Sequence, residues 1–267
     1  MKHVLSVQDL SCTGRCSLTV ALPILSAMGC RCTVLPTAVL SSHTGFSKPY
    51  RRSMTQDLVP TAAHWQQLRL QFDAIGIGYL ADPEQAEAVE QVLERFPALT
   101  VVDPVMGDHG RLYSSITPDQ IQAMAKLCRR GDILLPNVTE AAYLTGLPYK
   151  EQPDRGYFRE LTAGMLEFGA QAVVITGVSG KSGSIGFCGS ADGEEFFYQT
   201  ACVNNQFHGT GDMFAAALLG AMMAERNVKE AAALAAGFVE RTLAASPAST
   251  PHGAEFEKQL PWLWQQL

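Results

Sequence analysis

Short apolar segments alternate with longer helical patterns along almost the whole chain. Several of these segments, such as LTVVD and AVVITGV, are apolar without interruption, as buried parallel strands are. A helical pattern follows nearly every one of them, which predicts right-handed β-α-β units. We therefore expect an α/β fold in which helices cover both faces of a mostly parallel central sheet. Because no linker or repeat divides the chain, we expect one domain over residues 1–267.

The individual elements can be placed from their periodicity and from the glycines and prolines between them. The predicted strands are HVLSVQ, CTVLPTAVL, FDAIGIGYL, LTVVD, DILLP, AVVITGV, SGSIGFCG and EEFFYQTA. The predicted helices cover residues 16–28, 83–95, 118–129, 140–145, 157–168, 212–226 and 228–245. The last two strands follow each other without a helix, with Gly189 and Gly193 near their junction. This pattern predicts a small antiparallel hairpin at the sheet edge.

Composition and charge exclude several classes of protein. An apolar fraction of 47% and a charged fraction of 17% indicate a folded chain. The formal charge of -6, without a dense basic cluster, disfavours nucleic-acid binding. The first apolar stretch is too short for a signal peptide, and AAALLGAMMA is closed by Glu225 and Arg226, so no membrane segment is expected. We expect a cytoplasmic protein that acts on small molecules.

The seven cysteines are scattered through the sequence. In a cytoplasmic protein such cysteines are most often reduced and buried. Cys12 and Cys16 form a CxxxC pair, and Cys30 and Cys32 form a CxC pair, so a zinc site is an alternative. Neither spacing is that of a standard zinc knuckle, which makes this alternative the weaker one.

The motif GTGD, formed by Gly209, Thr210, Gly211 and Asp212, precedes a strongly apolar helical pattern. If the helix begins here, its first backbone amides converge beside the aspartate, and the helix dipole adds partial positive charge. This arrangement predicts an anion site, and an aspartate at a helix N-terminus is expected to stay ionised. The alternative is a glycine-rich turn with an aspartate N-cap and no ligand.

Two further motifs place oxygen ligands at strand ends. In VVDPVMGD, Asp103 directly follows an apolar strand, and Pro104 prevents a helix from starting there. In LLPNVTE, Asn137 and Glu140 lie three residues apart after another strand. Singly, these residues suit a turn and a capping box. Together they are the oxygen ligands that a hydrated Mg²⁺ prefers.

A fourth motif, VVITGVSG, is a predicted strand that ends at Thr176 and Gly177. By itself it is consistent with a simple strand end followed by a turn. Its functional interpretation is a close approach of the backbone to a nucleotide.

These motifs, in this order, resemble the pyridoxal kinase family of the ribokinase-like superfamily. The resemblance covers essentially the whole chain and includes the segments SVQDLSCTGRCSLTVALPILSAMG, LPTAVLSSHTGF, GIGYL, VVDPVMGD, PNVTEAAYLTG and HGTGDMFAAALLGA. It implies a three-layer ribokinase-like sandwich and ATP-dependent phosphorylation of the 5'-hydroxymethyl group of vitamin B6. It also implies Mg²⁺ as a cofactor and a homodimer.

The resemblance also implies roles for individual residues. Asp212 would be the catalytic base, with the amides of Gly209, Thr210 and Gly211 as its anion hole. Asp103 and Glu140 would organise Mg²⁺ and the ATP phosphates. Three sets complete the implied site: Asn137, Thr176, Gly177 and Phe207 for ATP binding; Asp9, His43, Thr44 and Tyr79 for the vitamin; and Asp212 beside the vitamin hydroxyl.

The chain departs from the family pattern at two positions. Many pyridoxal kinases have serine at the position of Asp9, so this carboxylate is expected to favour a cationic group such as the ammonium of pyridoxamine. Several pyridoxal kinases have a lysine where this chain has Thr176 and Gly177. The Thr-Gly pair of this chain is more similar to the hydroxymethylpyrimidine kinases of thiamine synthesis. Two alternatives therefore stand beside a vitamin B6 kinase: a hydroxymethylpyrimidine kinase, and a non-catalytic protein that binds pyridoxal phosphate.

Overall fold

The computed structural model describes residues 1–179, 185–200, 207–247 and 250–267. Its strands, in chain order, are β1 (His3–Ser11), β2 (Arg31–Leu40), β3 (Arg51–Ser53), β4 (Ala74–Ile77), β5 (Leu99–Val102), β6 (Gly107–Asp108), β7 (Arg111–Leu112), β8 (Ile133–Leu134), β9 (Ala172–Ser179), β10 (Ile185–Ala191) and β11 (Glu194–Thr200). Its helices are α1 (Leu18–Ala27), α2 (Thr55–Gln67), α3 (Glu84–Arg95), α4 (Pro118–Cys128), α5 (Val138–Thr145), α6 (Arg155–Leu166), α7 (Thr210–Met223), α8 (Val228–Ala245) and α9 (Leu260–Trp264).

Within these residues, one sheet has the strand order β11-β10-β9-β8-β5-β4-β1-β2-β3. The six strands from β9 to β2 in this order run parallel, whereas β3, β10 and β11 pair antiparallel with their neighbours. The predicted edge hairpin is β10 and β11, and its turn at Asp192 and Gly193 has positive φ at both residues. The prediction of a mostly parallel α/β sheet with an antiparallel edge hairpin is confirmed.

The helices form a layer on each face of this sheet. One core contains buried side chains of α2 to α6, such as Leu58, Val89 and Leu161. The other contains side chains of α1, α7 and α8, such as Ile24, Leu218 and Phe238. The sheet therefore lies between two helical layers, as the alternating pattern predicts. No helix in the described part of the chain is long and apolar enough to cross a bilayer.

Five elements have no counterpart in the sequence prediction: β3, α2, the two-residue strands β6 and β7, and the short C-terminal helix α9. The strand β3 was not predicted because it consists of only three residues, two of them arginines. The helix α2 was not predicted because Pro60 lies inside it and only Leu58 and Ala62 are buried, which leaves a weak periodic pattern. The residues 182–184 of the predicted strand SGSIGFCG and residue 201 of EEFFYQTA lie outside the described residues.

Candidate active site

The carboxyl ends of the neighbouring strands β1, β4 and β5 bring the predicted residues to one edge of the sheet. Asp9 lies near the end of β1, Tyr79 follows β4, and Asp103 directly follows β5. Asp103 and Asp212 line the same cavity between the sheet and α7, together with Gln8 of β1. Because ligands of parallel sheets bind beyond the carboxyl ends of the strands, this edge is the candidate active site.

The helix α7 begins with an open N-terminus. Gly209 is its N-cap, in a left-handed conformation with φ of 82°, and Thr210 is the first helical residue. Among the described residues, no side chain caps this helix. Asp212 lies inside the first turn and is not the N-cap, so the alternative of an aspartate-capped turn is wrong. The amides of the first turn lack partners within the helix, and such amides suit an anion.

The two glycines of the GTGD motif meet different surroundings. A Cβ added at Gly209 would lie 2.0 Å from the carbonyl oxygen of Arg15 and 3.2 Å from Cys16 Cα. A Cβ added at Gly211 would meet no atom of the described chain within 4 Å. Gly209 is therefore required by packing against the segment before α1, whereas the space at Gly211 is open for a ligand.

The charges of two further carboxyl groups, those of Glu140 and Asp212, act on Asp103. Burial raises the pKa of Asp212 to about 7 and that of Glu140 to about 8. Burial, followed by the charges of Glu140 and Asp212, raises the pKa of Asp103 well above its ordinary value. Asp103 and Asp212 keep some exposed surface toward the cleft, whereas Glu140 is 2% exposed. The expectation that the helix terminus keeps Asp212 ionised is not met, because desolvation outweighs it.

Within the described chain, no arginine, lysine or histidine forms an ion pair with any of these three carboxyl groups. Asp103 also accepts no side-chain hydrogen bond from a described residue, which leaves its oxygens available. Buried carboxylates without a cationic partner are costly, and a divalent cation would compensate them. The donor chemistry therefore fits Mg²⁺ at Asp103.

Asn137 and Glu140 form the capping box of α5. Asn137 Oδ1 accepts a hydrogen bond from the Glu140 amide at 3.0 Å, and Asn137 Nδ2 donates to the Gly107 carbonyl at 2.8 Å. The Glu140 carboxylate accepts from the Asn137 amide at 2.8 Å and from the Met106 amide at 3.0 Å. Both side chains are thus hydrogen-bonded to backbone groups, and only Glu140 can contribute a charge to the site. A direct Glu140–metal bond stays a prediction.

Thr176 and Gly177 lie inside β9, not at its end as the sequence suggested. The register between β9 and β10 skips Gly177, which bulges outward with φ of 72°. Gly177 is exposed, and a Cβ there would lie 3.9 Å from Asn137 Cβ. The bulge thus brings exposed backbone next to the start of α5, which is compatible with the predicted approach to a nucleotide. Phe207, also predicted for ATP binding, packs partly buried against the core on the α7 side.

The predicted vitamin-binding residues occupy different environments. Tyr79 is buried against Ala38 and Leu40, whereas Thr44 is exposed. His43 is buried, with Nε2 3.0 Å from the Pro251 carbonyl and Nδ1 accepting from the Gly45 amide at 3.1 Å. Burial lowers the pKa of His43, so the neutral imidazole is favoured.

His43 also fixes the loop after β2 to the start of α7. Its ring lies 4.7 Å from that of His208, the residue before Gly209, and 4.7 Å from the ring of Phe46. The structure therefore joins the loop of the predicted vitamin pocket to the predicted anion hole. Sequence reasoning missed His208 because its contact depends on tertiary packing.

Comparisons with known proteins match this chain over most of its length. A family model described as phosphomethylpyrimidine kinase matches residues 21–256. A pyridoxine/pyridoxal/pyridoxamine kinase of Bordetella pertussis is 30% identical over 253 residues, which cover 87% of this chain and 85% of the relative.

Two solved structures extend the comparison. The pyridoxal kinase of Lactobacillus plantarum is 30% identical, with a TM-score of 0.92, and the match covers 100% of this chain and 98% of that chain. A Bacteroides thetaiotaomicron protein, assigned to the phosphomethylpyrimidine kinases and crystallised with pyridoxal, is 33% identical with a TM-score of 0.92. That match covers 98% of this chain and 95% of the other. The chain therefore belongs to the phosphomethylpyrimidine kinase family, in which its relatives include kinases of pyridoxine, pyridoxal and pyridoxamine.

Proposed function

We propose that this protein transfers the γ-phosphoryl group of ATP to the 5'-hydroxyl of pyridoxal, pyridoxine or pyridoxamine. The observation that carries the proposal is the open N-terminus of α7, with Asp212 in its first turn and Asp103 on the same cavity. Phosphoryl transfer requires alignment and stabilisation of charge more than covalent chemistry. Free amides beside a carboxylate supply both. The homodimer that the family resemblance implies, and a cytoplasmic location, belong to the same proposal.

Asp212 holds the vitamin hydroxyl and accepts its proton as the new oxygen–phosphorus bond forms and the bond to ADP breaks. Its pKa of about 7 lies near the working pH, where a general base is most effective. The amides of Thr210 and Gly211 then stabilise the charge on the transferred phosphoryl oxygens. Asn137, Thr176, Gly177 and Phe207 border the ATP side.

Asp103 would hold Mg²⁺, with Glu140 supplying charge from its capping position. When bound, Mg²⁺ neutralises the phosphate charge and orients the phosphates. Its positive charge would also favour the ionised forms of the neighbouring carboxyl groups. The Asp103 carboxyl group, which has no cationic partner among the described residues, supports this assignment. Because no cluster of three or more His, Cys, Asp or Glu side chains in the described chain could hold a metal ion by itself, water and ATP phosphates would complete the coordination.

Magnesium is expected to stabilise the wild-type protein without nucleotide. At pH 8, 10 mM Mg²⁺ should raise Tm by about 2–5 °C, since cation binding offsets carboxylate repulsion. In Asp103→Asn the shift should fall below about 1 °C, because the available oxygens are reduced. Calorimetry with and without Mg²⁺ measures this, and NaCl at equal ionic strength separates binding of the divalent cation from screening. An unchanged shift in Asp103→Asn would remove this residue from the metal site.

A second candidate is phosphorylation of hydroxymethylpyrimidine. It is favoured by the family match and by the Thr176–Gly177 bulge, which carries no basic side chain. Both reactions use the same base and anion hole, so they differ only in the acceptor.

The deciding experiment is a coupled assay of ADP release with ATP and Mg²⁺. Pyridoxal, pyridoxine, pyridoxamine and hydroxymethylpyrimidine are offered at equal concentrations. We expect kcat/KM for the best vitamin B6 form to exceed that for the pyrimidine by at least about tenfold. The two acceptors carry different polar groups on their rings, and a site that binds the groups of one acceptor discriminates against the other. Turnover with the pyrimidine alone would reassign the substrate. Binding of pyridoxal phosphate without turnover of any acceptor would favour a non-catalytic protein.

A further inference from the structure

Ser17 has an unusual backbone conformation beside the candidate active site. It precedes α1 with φ of 49° and ψ of -130°, a combination that residues with a side chain rarely adopt. It is buried, and its side chain does not cap α1. A strained residue persists only where its surroundings enforce it, and such residues cluster at functional sites.

Asp9 accepts a hydrogen bond from the Ser17 side chain. Ser17 Oγ donates a hydrogen bond to Asp9 Oδ1 at 2.5 Å, and Ser11 Oγ donates to Asp9 Oδ2 at 3.0 Å. Asp9 is only 5% exposed, so its two oxygens are engaged within the protein. Burial raises the pKa of Asp9, and the two serine hydroxyls act against this rise. Both oxygens of the Asp9 carboxylate therefore bind groups of the protein itself.

The backbone of Ser17 reaches the start of α7. The carbonyl of Arg15 and Cys16 Cα pack against Gly209 so closely that a side chain there would overlap with them. Ser17 follows this contact directly, and its backbone amide opposes the rise of the Asp212 pKa. The strained residue thus binds the Asp9 carboxylate through its hydroxyl, and it follows the segment that packs against the first turn of α7, where Asp212 lies.

We propose that Ser17 is a positioning residue for phosphoryl transfer, anchored by Asp9 so that its backbone amide orients the Asp212 carboxylate. The inference rests on the proposed function and adds to it. It assigns Asp9 an indirect role, in place of the direct vitamin contact that the family position suggests. Asp9 then affects kcat for every vitamer, whereas a direct ionic contact would affect KM for the cationic vitamer.

Two substitutions at Ser17 separate positioning from packing. Ser17→Ala removes the hydroxyl and keeps a side chain that resists positive φ, so kcat should fall by about 10- to 100-fold with KM little changed. Ser17→Gly also removes the hydroxyl but accepts this conformation, so it should retain a higher kcat than Ser17→Ala. A residue that only fills space would show the opposite order. Equal or lower kcat in Ser17→Gly would overturn the proposal.

Ser11 provides the matched control, because it donates to the same carboxylate from β1. Ser11→Ala should keep kcat within about twofold, since Ser17 still anchors to Asp9. Asp9→Asn should lower kcat for pyridoxal and pyridoxamine by the same factor. Equal losses in Ser11→Ala and Ser17→Ala, or a KM increase confined to pyridoxamine in Asp9→Asn, would contradict positioning.

The contact can also be tested without catalysis. In a double-mutant cycle on chemical unfolding, the effects of Ser17→Ala and Asp212→Asn should be non-additive, because the two groups interact. Additive effects would overturn the inference even if the protein is active. Conversely, coupled effects in a protein that phosphorylates no vitamer would uphold the contact and reject the proposed function.

Discussion

Replacing Asp212 with asparagine is expected to lower kcat for the vitamin acceptor by about 10²- to 10⁴-fold, the usual contribution of a general base. Asparagine keeps the shape and an oxygen that can accept from the Ser17 amide, but it cannot take the proton of the hydroxyl. ATP binding should change little, because the first-turn amides of α7 are unaltered. The measurement is steady-state kinetics with the best acceptor, alongside nucleotide binding by calorimetry. Activity within about tenfold of wild type would reject the role of Asp212 as base.

The same substitution is expected to stabilise the metal-free protein at high pH. The pKa of Asp212 is about 7 in the folded state, whereas an aspartate in an unfolded chain titrates near 3.9. Below about pH 4 both states hold the proton, and this carboxyl group imposes no penalty. As pH rises from about 4 to 7, the unfolded state releases the proton first, so the wild type loses stability through this group.

Asp212→Asn lacks this titration. Its free energy of unfolding should therefore exceed that of the wild type by about 2–4 kcal/mol at pH 8, and the difference should vanish toward pH 4. The measurement is urea unfolding in EDTA at several pH values. Asp132→Asn, which changes a carboxylate outside the site, is the control for pH effects common to all carboxylates. A constant difference across this pH range would contradict the raised pKa.

Much of the site could be predicted because its residues stand at chain positions that the fold determines. Asp103 was placed correctly since it follows an apolar strand and precedes a proline, and parallel strands share one carboxyl edge. Asp212 was placed beside an open helix terminus for a similar local reason. The positions of such residues follow from the order of strands and helices, which the hydrophobic periodicity of the sequence indicates.

Other parts depend on contacts between distant segments, which a single sequence does not display. Ser17 has a positive φ, a backbone conformation that a sequence pattern predicts only at glycine. The bulge at Gly177 arises from pairing between β9 and β10, so the motif VVITGVSG alone suggested a strand end. The engaged oxygens of Glu140 likewise depend on the amides of Met106 and Gly107 from another loop.

The glycines of the GTGD motif are expected to respond to alanine in opposite ways. At Gly209 alanine must adopt positive φ and overlap the Arg15 carbonyl, since its Cβ would lie 2.0 Å from that oxygen. The two costs together should lower the free energy of unfolding by about 2–5 kcal/mol. For a chain of this size this corresponds to a Tm about 5–15 °C lower. Activity should be lost as well, because the displaced segment carries Ser17.

At Gly211 alanine meets open space within a helix, so the free energy of unfolding should rise by up to about 1 kcal/mol. Activity should nevertheless fall, with kcat/KM for ATP about tenfold lower, because the methyl group occupies space that the phosphate needs near the amides. Thermal unfolding and kinetics on both variants test this contrast. A Gly211→Ala protein with unchanged kinetics would show that no anion approaches this amide. Stability gained while function is lost would instead identify Gly211 as a glycine selected for its ligand and Gly209 as one required by the fold.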